Sequence, residues 1–205
     1  MNFLAHCLLS CDDEWVLVGN FMADFLRNHQ VAALPWAVQR GVQLHRRIDR
    51  YTDNHPAVRN STRTLQPYHR KYAAVVVDVY YDHLLANYWT RYSEESLRNF
   101  AERQYYLLEK HRALMPVRLQ RQTEGMIAGD WLVKYGTLDG LAFTFGKLRG
   151  RLSRPELLDG VMAYLAKHEA ALTADFHQFF PQLTDYVARQ CLSLSDGPNQ
   201  QLSEA

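Results

Sequence analysis

The chain has 205 residues, 47% of them hydrophobic and 22% charged, and its 23 Lys and Arg against 22 Asp and Glu leave a net charge of +1. This composition fits one globular domain with a core of its own and argues against disorder. The near-neutral balance excludes a global electrostatic pull toward nucleic acid. No apolar run reaches the roughly 18 residues that span a bilayer. Met1–His6 lacks the basic segment of a signal peptide, and a cytoplasmic protein with no membrane or nucleic-acid partner is expected. Cys7, Cys11 and Cys191 are odd in number and show no paired spacing, so they read as reduced thiols, with a zinc pair at Cys7 and Cys11 the weaker alternative.

The elements predicted in chain order are all helical. Apolar–polar alternation is not sustained anywhere, and the β-branched cluster Val75–Val79 runs on into Tyr80–Trp89 without a turn residue. Helices are expected over about 2–10 and 14–29, then, after a break at Pro35, over 36–52, 56–66, 69–90, 94–113, 116–135, 138–148 and 155–190. Ser153-Arg154-Pro155-Glu156 has the form of a capping box with Pro in the first turn, and Pro181 is expected to kink or divide the last helix. The predicted architecture is a single-domain irregular helical bundle over 1–192, with 193–205 a disordered tail.

Several polar residues sit where apolar ones are expected. Asp78 and Asp82 are four apart in an apolar run, hence on one helix face, where two carboxylates repel and are costly to bury unless something positive lies between them. A divalent cation answers that need, and a buried polar network is the alternative. His83 lies about 100° around the helix from Asp82; a ligand, an acid/base group and a packed histidine are all open readings. Asp24 is the lone charge in Trp15–Leu26, a metal ligand or half of a salt bridge. His45 and Asp49 share a face as two ligands, as a ligand and the carboxylate that orients it, or as an exposed ion pair. His6 lies in an apolar N-terminal helix, functional or simply packed.

Asp and His donors without a thiolate suit Mn²⁺, Fe²⁺, Mg²⁺ or Zn²⁺, and such ions favour phosphate ester hydrolysis. Phosphate loops, Gly-x-Ser-x-Gly elbows and His-Glu-x-x-His motifs are absent. Arg46, Arg47, Arg50, Arg59 and Arg63 lie in a window, 46–71, whose only acids are Asp49 and Asp53. A basic strip beside a phosphate-handling site suits an acidic macromolecular partner; a solvated helix face is the alternative.

The ordered motifs Met1-Asn2-Phe3-Leu4-Ala5-His6, Gly19-Asn20-Phe21-Met22-Ala23-Asp24-Phe25, His45-Arg46-Arg47-Ile48-Asp49 with Thr52-Asp53-Asn54, and Asp78-Val79-Tyr80-Tyr81-Asp82-His83 with Leu85 and Trp89 resemble the acyl carrier protein phosphodiesterases, or ACP hydrolyases. Looser similarity continues through Asp130-Trp131-Leu132-Val133-Lys134-Tyr135 and Arg149–Leu152, so it covers about 1–190, and the 192–205 tail has no counterpart. The resemblance implies an all-α, HD-domain-like fold, since the family is regarded as an atypical branch of the HD phosphohydrolase superfamily. It further implies Mn²⁺-dependent hydrolysis of the phosphodiester joining 4′-phosphopantetheine to the serine of holo-acyl carrier protein. That carrier protein is the acidic partner the arginines would hold, and the reaction belongs to prosthetic-group turnover in fatty acid biosynthesis. No His-Asp dipeptide occurs, so the HD ligand pattern does not transfer directly. The expected metal set is Asp24, His45, Asp78 and Asp82; His6, His83 and Asp49 are the catalytic candidates. A small-phosphodiester or nucleotide hydrolase of HD type is the alternative enzyme, and a metal-independent helical module docking acidic proteins is the non-enzyme one.

Overall fold

The computed structural model describes residues 2–195, with side chains through 193. Its α-helices are α1 (Phe3–Leu8), α2 (Glu14–Met22), α3 (Asn28–Ala32), α4 (Trp36–Asn54), α5 (Pro56–His69), α6 (Ala73–Asn87), α7 (Leu97–Lys110), α8 (Val117–Ala128), α9 (Trp131–Lys134), α10 (Leu138–Arg149) and α11 (Val161–Ser195). The described residues contain no strand, in keeping with the all-α expectation, and no helix long and apolar enough to cross a membrane.

The helix at the centre is α6. Val76, Val77, Val79, Tyr80, Tyr81, Leu84 and Leu85 bury it on every side, as an apolar circumference requires. It packs on α1, α5, α10 and α11. The closest pairing is that of α2 with α4, and its cause is visible in two glycines. A Cβ on Gly19 would lie 2.0 Å from the Val38 carbonyl oxygen, and one on Gly41 would lie 2.2 Å from that of Val16. The two backbones touch at a spacing no side chain permits. Local capping sets the register: the Asp13 carboxylate accepts from the Trp15 and Val16 amides and starts α2, and the His55 ring with Pro56 starts α5.

Several predicted boundaries are corrected. The expected 14–29 helix stops at Met22 and tightens into a 3₁₀ turn over Ala23–Phe25. The 69–90 helix is broken at Arg70, whose φ of 48° is left-handed. The 116–135 helix is divided by Asp130, φ 49°, whose carboxylate takes the Arg98 guanidinium and the Tyr105 hydroxyl. The capping box does not form: Ser153 Oγ instead faces Lys71 and the Tyr72 hydroxyl, and only a 3₁₀ turn follows at Pro155–Leu158. Pro181 does not divide α11, which runs unbroken to Ser195. The expected tail at 193–205 therefore begins inside a helix, and 196–205 lie outside the described residues.

The cysteine expectation is overturned. Cys11 and Cys191 form a disulfide across a sequence separation of 180, and only Cys7 is a free, buried thiol. The bond pins the α1–α2 turn to the end of α11, a pairing of chain ends that spacing does not reveal.

Gly41→Ala should destabilise the fold by about 3 kcal/mol or more, because the added methyl meets backbone, which cannot rotate away. Gly146→Ala, with nothing within 4 Å of its added Cβ, should be neutral or stabilising by up to about 1 kcal/mol. Urea denaturation of the two variants checks the contrast.

Candidate metal centre

The α2–α4 contact carries polar residues on its flank. Asn20 follows Gly19 and is fully buried. Its side-chain carbonyl accepts a hydrogen bond from His6 Nδ1 at 2.7 Å, and its backbone carbonyl accepts one from His45 Nδ1 at 2.8 Å. The Asn20 amide NH₂ donates to the His6 carbonyl and to Ser10 Oγ, and Ser10 donates to that same carbonyl. One asparagine thus orients both imidazoles, which stack with centroids 4.1 Å apart.

The consequence lies at the opposite edges of the rings. Each Nδ1 carries its proton toward an oxygen, so in a neutral ring each Nε2 presents a lone pair. His45 Nε2 lies 3.0 Å from Asp24 Oδ1 and 3.0 Å from Asp49 Oδ2. His6 Nε2 lies 3.2 Å from Asp49 Oδ1, yet it is buried and makes no hydrogen bond. Lone pairs facing carboxylates repel unless a proton or a cation sits among them. Burial opposes charge on His45, but the Asp24 and Asp49 carboxylates overcome it and carry its pKa up to about 9. Burial and then the charge of His45 hold His6 below its ordinary value despite Asp49. Burial likewise works against ionised Asp49, but the neighbouring imidazoles of His45 and His6 hold it well below the carboxylate range. The Asp24 pKa is lowered by the His45 bond. His6, His45 and Asp49 are the described grouping whose ligand atoms lie within 4.8 Å of one another. Asp24, its side chain 74% exposed, stands at the solvent edge of this grouping. An orphaned buried nitrogen pointed at a carboxylate is the mark of a site that fits a divalent cation.

The remaining expected site residues fall elsewhere. Asp82 does not reach this grouping. Its carboxylate accepts from the amides of Leu4 at 2.7 Å and Ala5 at 3.3 Å, capping α1 from a distant helix. The N-terminus of α1 is the positive element that offsets its burial. Burial still dominates and pushes its pKa up to about 7. His83 turns the other way, donating from Nδ1 to the Tyr135 carbonyl at 2.6 Å. Asp78, half-buried on α6, lines a groove with Asp53, Arg59 and Arg63. That groove adjoins the centre along α4, where Asp53 is one turn beyond Asp49. Burial, then Asp78 and Asp49, raise the Asp53 pKa. Of the expected set, Asp24 and His45 meet, together with His6 and Asp49, while Asp82 bonds the start of α1 and Asp78 lines the neighbouring groove. Asn20 had no role assigned from sequence, although an amide within an apolar helix was the available signal.

The arginines divide. Arg46 and Arg50 are exposed on α4, with Arg46 donating to Asn28. Arg59 donates to Asn54 and to the Asp53 carbonyl, and Arg63 to the Arg59 carbonyl. Arg47 is half-buried and donates to Gln190 of α11, which makes it a tie within the fold.

Asp82 yields a pH prediction. Its folded pKa of about 7 lies above the unfolded value near 3.8, so its stabilisation is complete below about pH 4 and is lost as pH rises through 7. The slope in that window approaches at most about 1.4 kcal/mol per pH unit. Asp82→Asn should gain stability relative to the parent chain from pH 4.5 to 7.5, read by thermal denaturation; a difference independent of pH would contradict it.

Comparison with known proteins gives one family. The model described as acyl carrier protein phosphodiesterase matches residues 1–183. A protein of that name from Serratia proteamaculans (strain 568) is 33% identical over 184 residues, covering 89% of this chain and 95% of its own. Another of that name, from Escherichia coli O6:H1 (strain CFT073), is 32% identical over 196 residues, covering 94% of this chain and 100% of its own. No solved structure gives a significant match.

Proposed function

The chain belongs to the acyl carrier protein phosphodiesterase family, and on that premise we propose that it hydrolyses the phosphodiester between 4′-phosphopantetheine and the serine of holo-acyl carrier protein at a divalent-cation centre held by His6, His45, Asp49 and Asp24. The observation that carries the reading is the pair of imidazoles whose Nδ1 protons are committed to Asn20 while their Nε2 atoms face carboxylates. A divalent ion there, Mn²⁺ by the donor set and the family, supplies charge neutralisation at a phosphoryl oxygen and a lowered pKa for water. The chain's own residues supply the rest. Asn20 and Ser10 lock the two rings so that their donor atoms converge without reorganisation. Asp49 joins both rings through its two oxygens. Asp24, exposed on the 3₁₀ turn, leaves the centre open on the solvent side, where a macromolecular substrate can approach.

The arginines flanking this opening act on the partner. Arg46 and Arg50 are exposed on α4, and Arg59 and Arg63 on α5, where they line the groove with Asp53. They steer and hold an acidic carrier protein, contributing to encounter more than to chemistry. Arg47 supports the same surface from within, through Gln190.

The deciding experiment incubates the protein with holo-acyl carrier protein and Mn²⁺, with a chelated control, and follows carrier-protein mass. Metal-dependent loss of the prosthetic group is expected; an unchanged mass from a metal-loaded sample would refute the proposal. His6→Ala, His45→Ala and Asp49→Ala should each lower kcat by about 10²–10³-fold or more and reduce bound metal, with helical circular dichroism retained. Asn20→Ala should cost about 10–100-fold. Arg59→Glu combined with Arg63→Glu should raise KM for the carrier protein about tenfold, flatten its salt dependence and leave kcat near that of the parent.

A further inference from the structure

Beyond the groove that holds Asp53, a cavity of about 180 Å³ opens between α1, α6, α9 and α10. The groove and the cavity share one wall residue, Asp78. Two helices tie the pair to the metal centre. On α4, Asp49 and Asp53 are one turn apart; on α1, Phe3 lines the cavity and His6 lies one turn further along, about 5 Å along a helix axis. The cavity thus borders the groove at Asp78, and each is lined by a residue one turn from a member of the grouping, Phe3 from His6 and Asp53 from Asp49.

The walls show what would follow that path. Phe3, Val75, Val79, Trp131 and Phe143 make the cavity largely apolar. Trp131 meets Phe143 edge-on with centroids 6.2 Å apart, and Lys147 Nζ stands 5.3 Å over the Phe143 ring. Phe143 is 46% exposed, an aromatic left at the mouth where packing alone would bury it. Gln122, Lys147 and Arg151 add N–H donors to the same walls. An apolar cavity of about 150 Å³ suffices to bind benzene, so this one admits a branched aliphatic segment. Apolar walls, aromatic and aliphatic, interrupted by N–H donors match a chain of alkyl segments joined by amides, whose carbonyls need donors when they leave water. A purely hydrocarbon ligand would leave those donors unused.

We infer that this cavity is the binding site for the alkyl-amide arm of the prosthetic group, and that Thr144, Lys147 and Gln122 determine specificity for that arm. The inference rests on the reaction proposed above and deepens it: the centre handles the phosphate, and the cavity selects what the phosphate carries. The arm enters past Asp78, its aliphatic part against Val75, Val79 and Trp131, its amides toward Gln122 and Lys147.

The test compares two inhibitors of holo-acyl carrier protein hydrolysis, free 4′-phosphopantetheine and inorganic phosphate, which share the group bound at the centre and differ in the arm. In the parent chain 4′-phosphopantetheine should inhibit at least tenfold more strongly than phosphate. Thr144→Trp, which fills the cavity from a partly exposed position, should shrink that advantage to less than threefold with the phosphate Ki unchanged. Should the Trp variant not fold, Lys147→Met, on an exposed residue, is read in its place, with an advantage reduced at least threefold. An equal Ki for the two inhibitors in the parent chain, an advantage preserved in both variants, or a parallel loss of phosphate inhibition would overturn the inference while leaving the reaction intact. Absence of turnover by the metal-loaded parent would instead refute the proposed reaction, and the arm site with it.

Discussion

The backbone-to-backbone contact of α2 with α4 is the constraint on which the rest of the molecule depends. Gly19 and Gly41 let the two helices approach until each Cα meets the other chain. At that separation a backbone carbonyl of one helix, that of Asn20, reaches a ring nitrogen on the other, that of His45. A side chain of ordinary size at either glycine would open this distance, and the histidine would lose the acceptor that sets its orientation. The apolar core contributes the larger share of the folding free energy, but it would tolerate such a shift more easily than the polar network can.

That network shows how buried polarity is tolerated in a small helical domain. Asn20, Ser10 and the His6 carbonyl satisfy one another completely, and the imbalance is left to the Nε2 edges, where function would use it. Such concentrated electrostatic imbalance is what a metal site needs and what a purely structural network avoids. Asp82 is the structural counterpart. It lies fully buried, accepts two amides from α1, and so fixes the helix that delivers His6. A carboxylate that resembles a ligand in the sequence holds the start of the helix that carries His6.

The Cys11–Cys191 bond, from the α1–α2 turn, and the Arg47–Gln190 hydrogen bond, from α4, both run to the end of α11. The last helix thereby braces the segments that carry His6 and His45, although it contributes no residue to the grouping itself. This bracing closes a long loop of chain, the case in which a cross-link most restricts the unfolded ensemble. Asp24, by contrast, comes from a 3₁₀ turn and remains exposed, on the side that α11 does not brace.

The sequence alone was enough to determine the helical class, the presence of Asp and His chemistry, the basic strip and the family, because these depend on residue types, local periodicity and motifs that survive in linear order. It also singled out Asp24, His45, His6 and Asp49 as candidates. Which of these candidates lie together was decided only by tertiary structure. Asp78 and Asp82 share a helix face, and i, i+4 spacing reports that much; whether such a pair faces an ion or the amides of another helix depends on which helix packs there. The role of Asn20 required knowing that two glycines abut across a helix pair, and the disulfide required knowing that residues 180 apart in sequence become neighbours. Positions within one helix are linked by a fixed rise and rotation per residue, whereas positions on different helices are linked only by packing, which no local pattern encodes.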